Sequence, residues 1–496
     1  MKFVGLDIGT GGSRAVVVDE NGRTVAAGWT DHTNFASPHP GWAEQDPDDW
    51  WRAASEAVRN ALASGHVDPD EIAGVSFSGQ MHGSVLLGED DRPLRPAIIW
   101  CDQRTEKQCR EITDRAGRTE LIAAVSNPAI TGFTLPKLLW IKENEPKIWS
   151  RTRAFLLPKD YIRLRLTGDK ASDVSDLSGT LMFDVANRRW SDKILDEFEI
   201  DHRWLPSFHE SIEQTGAVNG AGSEATGLKI GTPVFAGASD NAAGAIGMGI
   251  VEPGRVSVTI GTSGVVLAAS DAPRVDPQGR IHTLCHAVRE HWHNTGVTQA
   301  AGLSLKWLRD NVLGGRDYDS MNAKAATVSA GSDGLIWLPY LMGERSPHMD
   351  PHAKAAFVGL TASHTCAHMI RAVMEGVAFS LRDSLEIFRE SGIEIGEIRI
   401  GGGGAKSELW RQIQADCYGR PVSTIESEEG AAFGAALLAA VGAGVFASVS
   451  DACESTIKVK DVIDPDRAAV DALEENYQIY RRLYAALRST TEESMK

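Results

Sequence analysis

The chain has 496 residues, 42% hydrophobic and 24% charged, the proportions of an ordinary soluble globular protein, which excludes disorder, collagen and coiled coil. At roughly 150 residues per domain, the length implies about three domains or two large ones. Fifty Lys and Arg against 67 Asp and Glu leave a formal charge of −17, a field that repels phosphate backbones and anionic headgroups and argues against nucleic acid or membrane partners.

In chain order, Phe3–Ile8 and Ala15–Asp19 are apolar runs joined by the Gly-rich stretch Gly9–Arg14, which predicts a β-hairpin. Asp7 interrupts any signal-peptide apolar stretch, so the expected compartment is the cytoplasm. Asp46-Pro47 before Trp50, Trp51, Ala54, Val58 and Leu62 predicts a capped amphipathic helix, with Trp42, Trp50 and Trp51 packing between it and its sheet. Ile72–Ser78, Ala97–Trp100 and Pro233–Ala238 read as buried strands, and Asn241–Ile250 as a helix. The first hairpin then recurs: Val256–Ile260, Gly261–Gly264 and Val265–Leu267 repeat the pattern Ile-Gly-Thr-x-Gly of Ile8–Gly12, with Thr259 where the first copy has Asp7. An internal match half a chain apart predicts two domains of one architecture, their hairpin turns facing a shared cleft. The boundary is expected at Ala243–Pro253, dividing the chain into residues 1–245 and 246–496.

Further on, Cys366–Arg389 is helical, Ile398–Ile400 is a short strand entering Gly401–Gly404, and Ser407–Tyr418 is helical again. Gly430–Ser450 carries no charge but is rich in Ala and Gly, which predicts a buried, closely packed helix and not a membrane span. Val470, Leu473, Tyr477, Tyr480, Leu483 and Leu487 form one apolar helix stripe that docks on the body. The cysteines are scattered without any C-x-x-C pair and read as free thiols, and His282, His286, His291, His293 and Cys285 have no zinc spacing.

Three Gly-rich turns can aim backbone N–H groups at phosphate: Gly9–Ser13, Gly261–Gly264 and Gly401–Gly404. The first holds Thr10 and Gly11 and leads to Arg14, a cation for phosphoryl charge, while Asp7 is a carboxylate that can hold Mg²⁺ directly or through water. No G-x-x-x-x-G-K-[ST] occurs and no strand-G-x-G-x-x-G-helix unit, so P-loop and Rossmann readings are set aside. His82 and Asp102 each follow a strand, at the carboxyl end where α/β proteins place ligands. Trp100 can pack on a sugar's carbon face, but a strand-end Trp is more often plain core, and core is its expected role. Asp240 stands between strand and helix, where it can either cap the helix or project into a cleft.

Together these residues resemble the actin/Hsp70/sugar-kinase superfamily and, within it, the FGGY carbohydrate kinases, whose downstream signature is similar to Ala355–Leu360 followed by His368–Glu375. Ser78–Gly83, Trp100–Arg104, Leu157–Tyr161 and Ser239–Gly244 most resemble the members acting on D-xylulose. The resemblance implies an α/β fold of two ribonuclease H-like, actin-like ATPase domains with the active site in the cleft between them. It implies ATP with Mg²⁺ phosphorylating D-xylulose at O5, with ribulose, ribitol or glycerol as alternative sugars and an ATPase switch as the alternative of another class. It implies Asp240 as catalytic base and Met81 and His82 on the sugar, and Trp100, Asp102 and Asn241 complete the expected sugar-side set. Thr10, Gly11, Arg14 and Thr262 fall on the phosphate side, and Gly302, Lys306, Gly402, Gly403 and Ser407 on the nucleotide side. Arg14 replaces the Lys frequent in the D-xylulose group, Gly401 lengthens the usual three-glycine loop, and Ser407 stands where glycerol kinases have Asn. A homodimer is compatible with the sequence, since an isologous surface leaves no motif.

Overall fold

The computed structural model describes residues 1–426 and 429–493. The first sheet has six strands, β1 (Lys2–Ile8), β2 (Gly12–Asp19), β3 (Thr24–Asp31), β4 (Ile72–Gly79), β5 (Gln214–Ala217) and β6 (Pro233–Phe235), in the order β5-β6-β4-β1-β2-β3. The second has seven, β7 (Gly254–Ile260), β8 (Gly264–Ser270), β9 (His282–Cys285), β10 (Trp292–Thr298), β11 (Ile395–Gly402), β12 (Val422–Ile425) and β13 (Val459–Ile463), in the order β9-β10-β8-β7-β11-β12-β13. The helices that position the site are α1 (Pro47–Ser64), α2 (Pro158–Thr167), α3 (Asp240–Gly247), α4 (Gly302–Asn311), α5 (Cys366–Glu390), α6 (Glu408–Tyr418), α7 (Gly430–Gly442) and α8 (Arg467–Glu493).

The duplication read from Ile-Gly-Thr-x-Gly extends to whole sheets. The run β3-β2-β1-β4-β6 has its counterpart in β10-β8-β7-β11-β12, with an antiparallel hairpin first and a parallel neighbour beside it in both. Asp7 lies opposite Arg14 and Ser78, and Thr259 opposite Val265 and Gly401, so the two are equivalent positions at equivalent strand ends. This is the two-lobed α/β architecture of the actin-like ATPases.

Alternation along β1 divides its side chains between two layers. Val4, Leu6 and Ile8 pack with Trp50, Ala54 and Val58 of α1, whose start is set by Asp46 capping the Asp48 N–H at 3.0 Å and by Pro47. The opposite face is covered by a helix from far downstream. Gly5 comes so close to α7 that a Cβ there would sit 1.9 Å from the Ala432 carbonyl oxygen, and only glycine permits that approach. Helix α7 also meets α3 backbone to backbone, a Cβ on Gly434 falling 1.9 Å from the Ala243 carbonyl oxygen. Of the stretch expected as one helix over Gly430–Ser450, Gly430–Gly442 is a buried helix packed on the first sheet and α3, while the chain leaves the helix after Gly442 and a second one starts at Val449; among the described residues no helix is long and apolar enough to cross a membrane. Helix α8 docks as expected, Tyr477 donating to Asp383 at 2.8 Å and Tyr480 lying 3.0 Å from the Tyr340 hydroxyl. The six cysteines are unpaired.

Several local expectations change, and the strand expected over Pro233–Ala238 ends at Phe235. The strand expected over Ala97–Trp100 ends at Ile98, where the chain turns. The strand expected over Ile398–Ile400 runs from Ile395 to Gly402, and a 3₁₀ turn takes up Gly403–Lys406. Trp50 is core and Trp51 flanks it, but Trp42 leaves that layer and stacks on the Arg104 guanidinium, 3.7 Å from its ring centroid, and edge-on to Trp140.

Candidate active site

Asp240 is the first residue of α3, and Ser239 is the cap, its Oγ accepting from the Ala242 N–H at 3.3 Å. The capping role open to Asp240 in the sequence thus belongs to its neighbour. Among the described residues, Asp240 Oδ1 accepts only the adjacent Asn241 N–H, at 2.7 Å, and Asp240 lines a cleft of about 930 Å³ between the lobes. Burial, and then the negative charge of Asp7, push its carboxyl up to about 7. Asp7 is raised too, by burial, with the Ser78 hydroxyl donating at 2.8 Å and Arg14 opposing. Two carboxyls that repel one another, one of them lining the cleft, suit a bound divalent cation, because the cation supplies the charge they lack. Among the described residues no three His, Cys, Asp or Glu side chains cluster for a metal, so the remaining ligands to an ion at Asp7 would be water and phosphate oxygens.

The sugar-side residues adjoin Asp240 through Asn241, whose Nδ2 donates to Met81 Sδ at 3.4 Å. Met81 and His82 crowd Gly179, where an added Cβ would lie 2.5 Å from the His82 ring. His82 holds φ at +69°, and its carbonyl accepts from Thr134 Oγ1 at 3.1 Å and from the fully buried Lys137 Nζ at 3.0 Å. Its Nδ1 is 2.8 Å from the Gly179 carbonyl, and burial keeps the ring well below the usual range and hence neutral.

Trp100 and Asp102 exchange the exposures that their strand reading gave them. Trp100 is 38% exposed, and its indole N–H donates to Thr10 Oγ1 at 2.9 Å, so it is not core. Asp102 is 0% exposed, with Oδ2 accepting from the Ala43 amide at 2.6 Å and from Arg104 at 2.7 Å. Its carboxylate holds the loop together and does not emerge at a ligand face. Beyond Ile98 the chain turns, which cancels the alternation used to aim these two side chains.

Of the nucleotide-side residues, Gly402 and Gly403 line the cleft along with Gly244, Thr259 and Lys406, whereas Thr262, Gly302, Lys306 and Ser407 stand outside its lining. Gly402 has φ +74°, and a Cβ there would meet the Ile260 carbonyl oxygen at 2.6 Å, which explains the glycine. Gly302 is tied to the second hairpin turn, its N–H donating to the Gly261 carbonyl at 2.9 Å, and Thr262 accepts the next N–H, from Leu303, at 3.1 Å. Ser407 is spent as the cap of α6, accepting from Trp410 N–H at 3.2 Å, and Lys306 is exposed beside Asp310, 3.8 Å away. Arg14 forms an ion pair with Glu429 at the start of α7, linking the first hairpin to the second half of the chain. Gly11 has open space beyond its Cα, as a turn that admits a phosphate requires. Arg411 and Lys460, cleft cations contributed by α6 and β13, were not read from the sequence, because lone basic residues carry no spacing signal.

Beneath Asp240 lies a charge cluster that the motif Leu157–Tyr161 announced without explaining. Lys159, at 0% exposure, reaches Asp160 at 2.5 Å, Asp173 at 2.7 Å and Asp176 at 3.2 Å. Asp173 caps the short helix Val174–Leu177, and Ser175 in that helix accepts the Ser239 N–H at 3.0 Å. The cluster therefore ends on the residue that starts α3.

An interlobe cleft with a raised carboxyl at one helix N-terminus and the Gly401–Gly403 turn in its lining is the site of a sugar kinase of this fold, and family comparison agrees. The N-terminal domain model of the FGGY family of carbohydrate kinases matches residues 2–247 and its C-terminal domain model matches residues 256–443, and the chain belongs to this family. It is accordingly a carbohydrate kinase, with ATP as the phosphoryl donor that the family implies. Among its relatives, the xylulose kinase of Bacillus subtilis is 38% identical over 98% of this chain and 97% of its own length, and that of Escherichia coli is 37% identical over 98% and 99%. A crystal structure described as a xyloylose kinase from Brucella ovis superposes with a TM-score of 0.92 at 36% identity, covering 99% of this chain and 100% of that one. A gluconate kinase from Lactobacillus acidophilus superposes at 0.94 with 27% identity, covering 99% of each chain.

Proposed function

We propose that this chain transfers the γ-phosphoryl group of ATP to the C5 hydroxyl of D-xylulose, with residues 1–245 holding the sugar and residues 246–496 the nucleotide. The observation that carries this reading is Asp240, a carboxyl in the cleft whose affinity for protons sits near neutrality and which, among the described residues, accepts only its neighbour's N–H. A base with that affinity takes the hydroxyl proton at physiological pH and gives it up again after transfer. As the O5–H bond breaks, the proton passes to the Asp240 carboxylate and O5 bonds to the γ-phosphorus. The bond from that phosphorus to the β–γ bridging oxygen breaks, and ADP departs.

Phosphoryl transfer needs little covalent chemistry from the protein, so alignment and charge carry the rate. Asn241, Met81 and His82 orient the sugar, His82 offering a neutral imidazole. The N–H groups around Gly11, together with Gly402 and Gly403, hold phosphate oxygens, and Arg14 stabilises charge on the transferring group. Mg²⁺ held through Asp7, with Asp240 beside it, would neutralise phosphate charge.

The test is a coupled ADP-release assay over D-xylulose, ribulose, ribitol, glycerol and gluconate. Strongest turnover with D-xylulose is expected, and a preference for another sugar overturns the substrate. ATP hydrolysis that ignores every sugar would support a nucleotide switch instead.

A further inference from the structure

The second lobe places two polar side chains at the His82 end of the site, and the chemistry above leaves both unused. Arg345 is half-buried, and its guanidinium makes no hydrogen bond or ion pair with any described residue. Its Nη2 lies 3.8 Å from where a Cβ on Gly132 would stand, a point that the Trp100 carbonyl oxygen borders at 3.2 Å. His282 is 5% exposed, and neither ring nitrogen has a partner among the described residues. Its ring packs 5.4 Å from Phe133, which is 4.7 Å from His82, so the three rings form one wall.

Nearby groups of the same kind are satisfied. Lys137 is buried in the same region, but its ammonium is taken up by the His82 and Gly132 carbonyls at 3.0 and 2.6 Å. Glu344 precedes Arg345 and attracts it when ionised, but it accepts from the backbone N–H groups of Gln299 and of Arg345 itself and from Ser380, and burial pushes its carboxyl up to about 8. Burying the His282 imidazole without acceptors is costly, and the half-buried Arg345 guanidinium, with no acceptor among the described residues, is free to take one from a ligand.

The direction of that ligand follows from where these groups stand. Asp240 adjoins the sugar side through Asn241, which donates to Met81, whereas Arg345 stands at Gly132 beside the Trp100 carbonyl and His282 joins His82 through Phe133. Arg345 thus serves the end of the pocket away from the phosphorylated hydroxyl.

We propose that Arg345, with His282 beside it, is a specificity-determining contact supplied by the second lobe, its guanidinium donating to the sugar oxygens farthest from Asp240. Resting on the D-xylulose reading above, those oxygens are the C1 hydroxyl and the C2 carbonyl, neighbouring acceptors that a planar fork spans and a point charge does not.

Steady-state kinetics with D-xylulose and 1-deoxy-D-xylulose, on the wild type, Arg345→Met, Arg345→Lys and His282→Phe, test it. Arg345→Met is expected to raise the sugar KM about 10- to 100-fold while the ATP KM stays within about twofold. In that variant the preference for the parent sugar over the 1-deoxy sugar shrinks toward unity, and Arg345→Lys recovers only part of it. His282→Phe raises the sugar KM less than Arg345→Met does. A sugar KM within about twofold of wild type in Arg345→Met overturns the inference, and so does an undiminished preference for the parent sugar or an ATP KM that rises in step. Should the wild type prefer another sugar, the D-xylulose reading fails by itself. The same variants, assayed with that sugar and its analogue lacking the hydroxyl farthest from the phosphorylated carbon, then decide the role of Arg345.

Discussion

The Trp100 indole N–H donates to Thr10 Oγ1 at 2.9 Å, and the same hydroxyl donates onward to Gln80 Oε1 at 3.3 Å. A residue of the sugar side and a residue of the phosphate turn therefore share one bond, and Thr10 has no hydroxyl hydrogen left for phosphate. Thr10→Ala should lower kcat/KM for the sugar by about fivefold, the equivalent of one hydrogen bond of about 1 kcal/mol, while the ATP KM changes less. Kinetics with each substrate varied in turn would show it. An effect confined to ATP would mean that the hydroxyl binds phosphate after all.

Asp240→Asn should reduce kcat by at least about 100-fold, the usual contribution of a positioned base. Because burial and Asp7 raise this carboxyl to about 7, it fills with a proton as pH falls through that value. Wild-type kcat/KM for the sugar should accordingly decline on the acid side of neutrality. A flat profile from pH 8 to about pH 5 would remove Asp240 from the role of base.

The same substitution should stabilise the ligand-free protein. A raised carboxyl favours the folded state below its unfolded value of 3.8, and that advantage is lost as pH rises toward the folded value of about 7. At pH 8 the native state thus holds a charge it disfavours, and Asp240→Asn relieves it by about 1–2 kcal/mol after allowance for partial exposure. Denaturant unfolding should show the gain at pH 8 and show it vanish near pH 4. An equal gain at both would trace it to some other cause.

Lys159→Met should leave Asp173 and Asp176 buried without the lysine they face, Asp160 keeping Arg163 at 3.5 Å, at a cost of about 3–5 kcal/mol. Since Ser175 connects this cluster to Ser239, kcat should fall in whatever fraction remains folded. Urea unfolding and the specific activity of the soluble fraction measure the two effects. Wild-type stability would show that the lysine is replaceable by an apolar chain.

Much of this molecule was legible in the amino-acid order. The hairpins, the Asp46 cap, the α8 stripe and the repeated Ile-Gly-Thr-x-Gly are local patterns, and local patterns are what periodicity and turn chemistry report. The position of Asp240 was legible as a strand-to-helix junction, but its freedom from capping was not, because Ser239 and Asp240 are both good caps and only the backbone chooses between them. Trp100 and Asp102 were aimed by an alternation that stops at Ile98. Ser407 and Gly302 carried a ligand signal and a packing signal in the same letters, and here the packing is what the coordinates display. The fit of α7 under β1 was out of reach, since a small-residue stripe announces close approach without naming the surface approached.

That last fit governs how the protein is made. Ribosomes release β1 and β4 long before residues 430–442 exist, so the nascent amino-terminal sheet waits with one apolar side uncovered. Cutting the gene between the halves would yield an early fragment that needs its later counterpart in trans, and co-expression of the two pieces should rescue solubility that neither achieves alone.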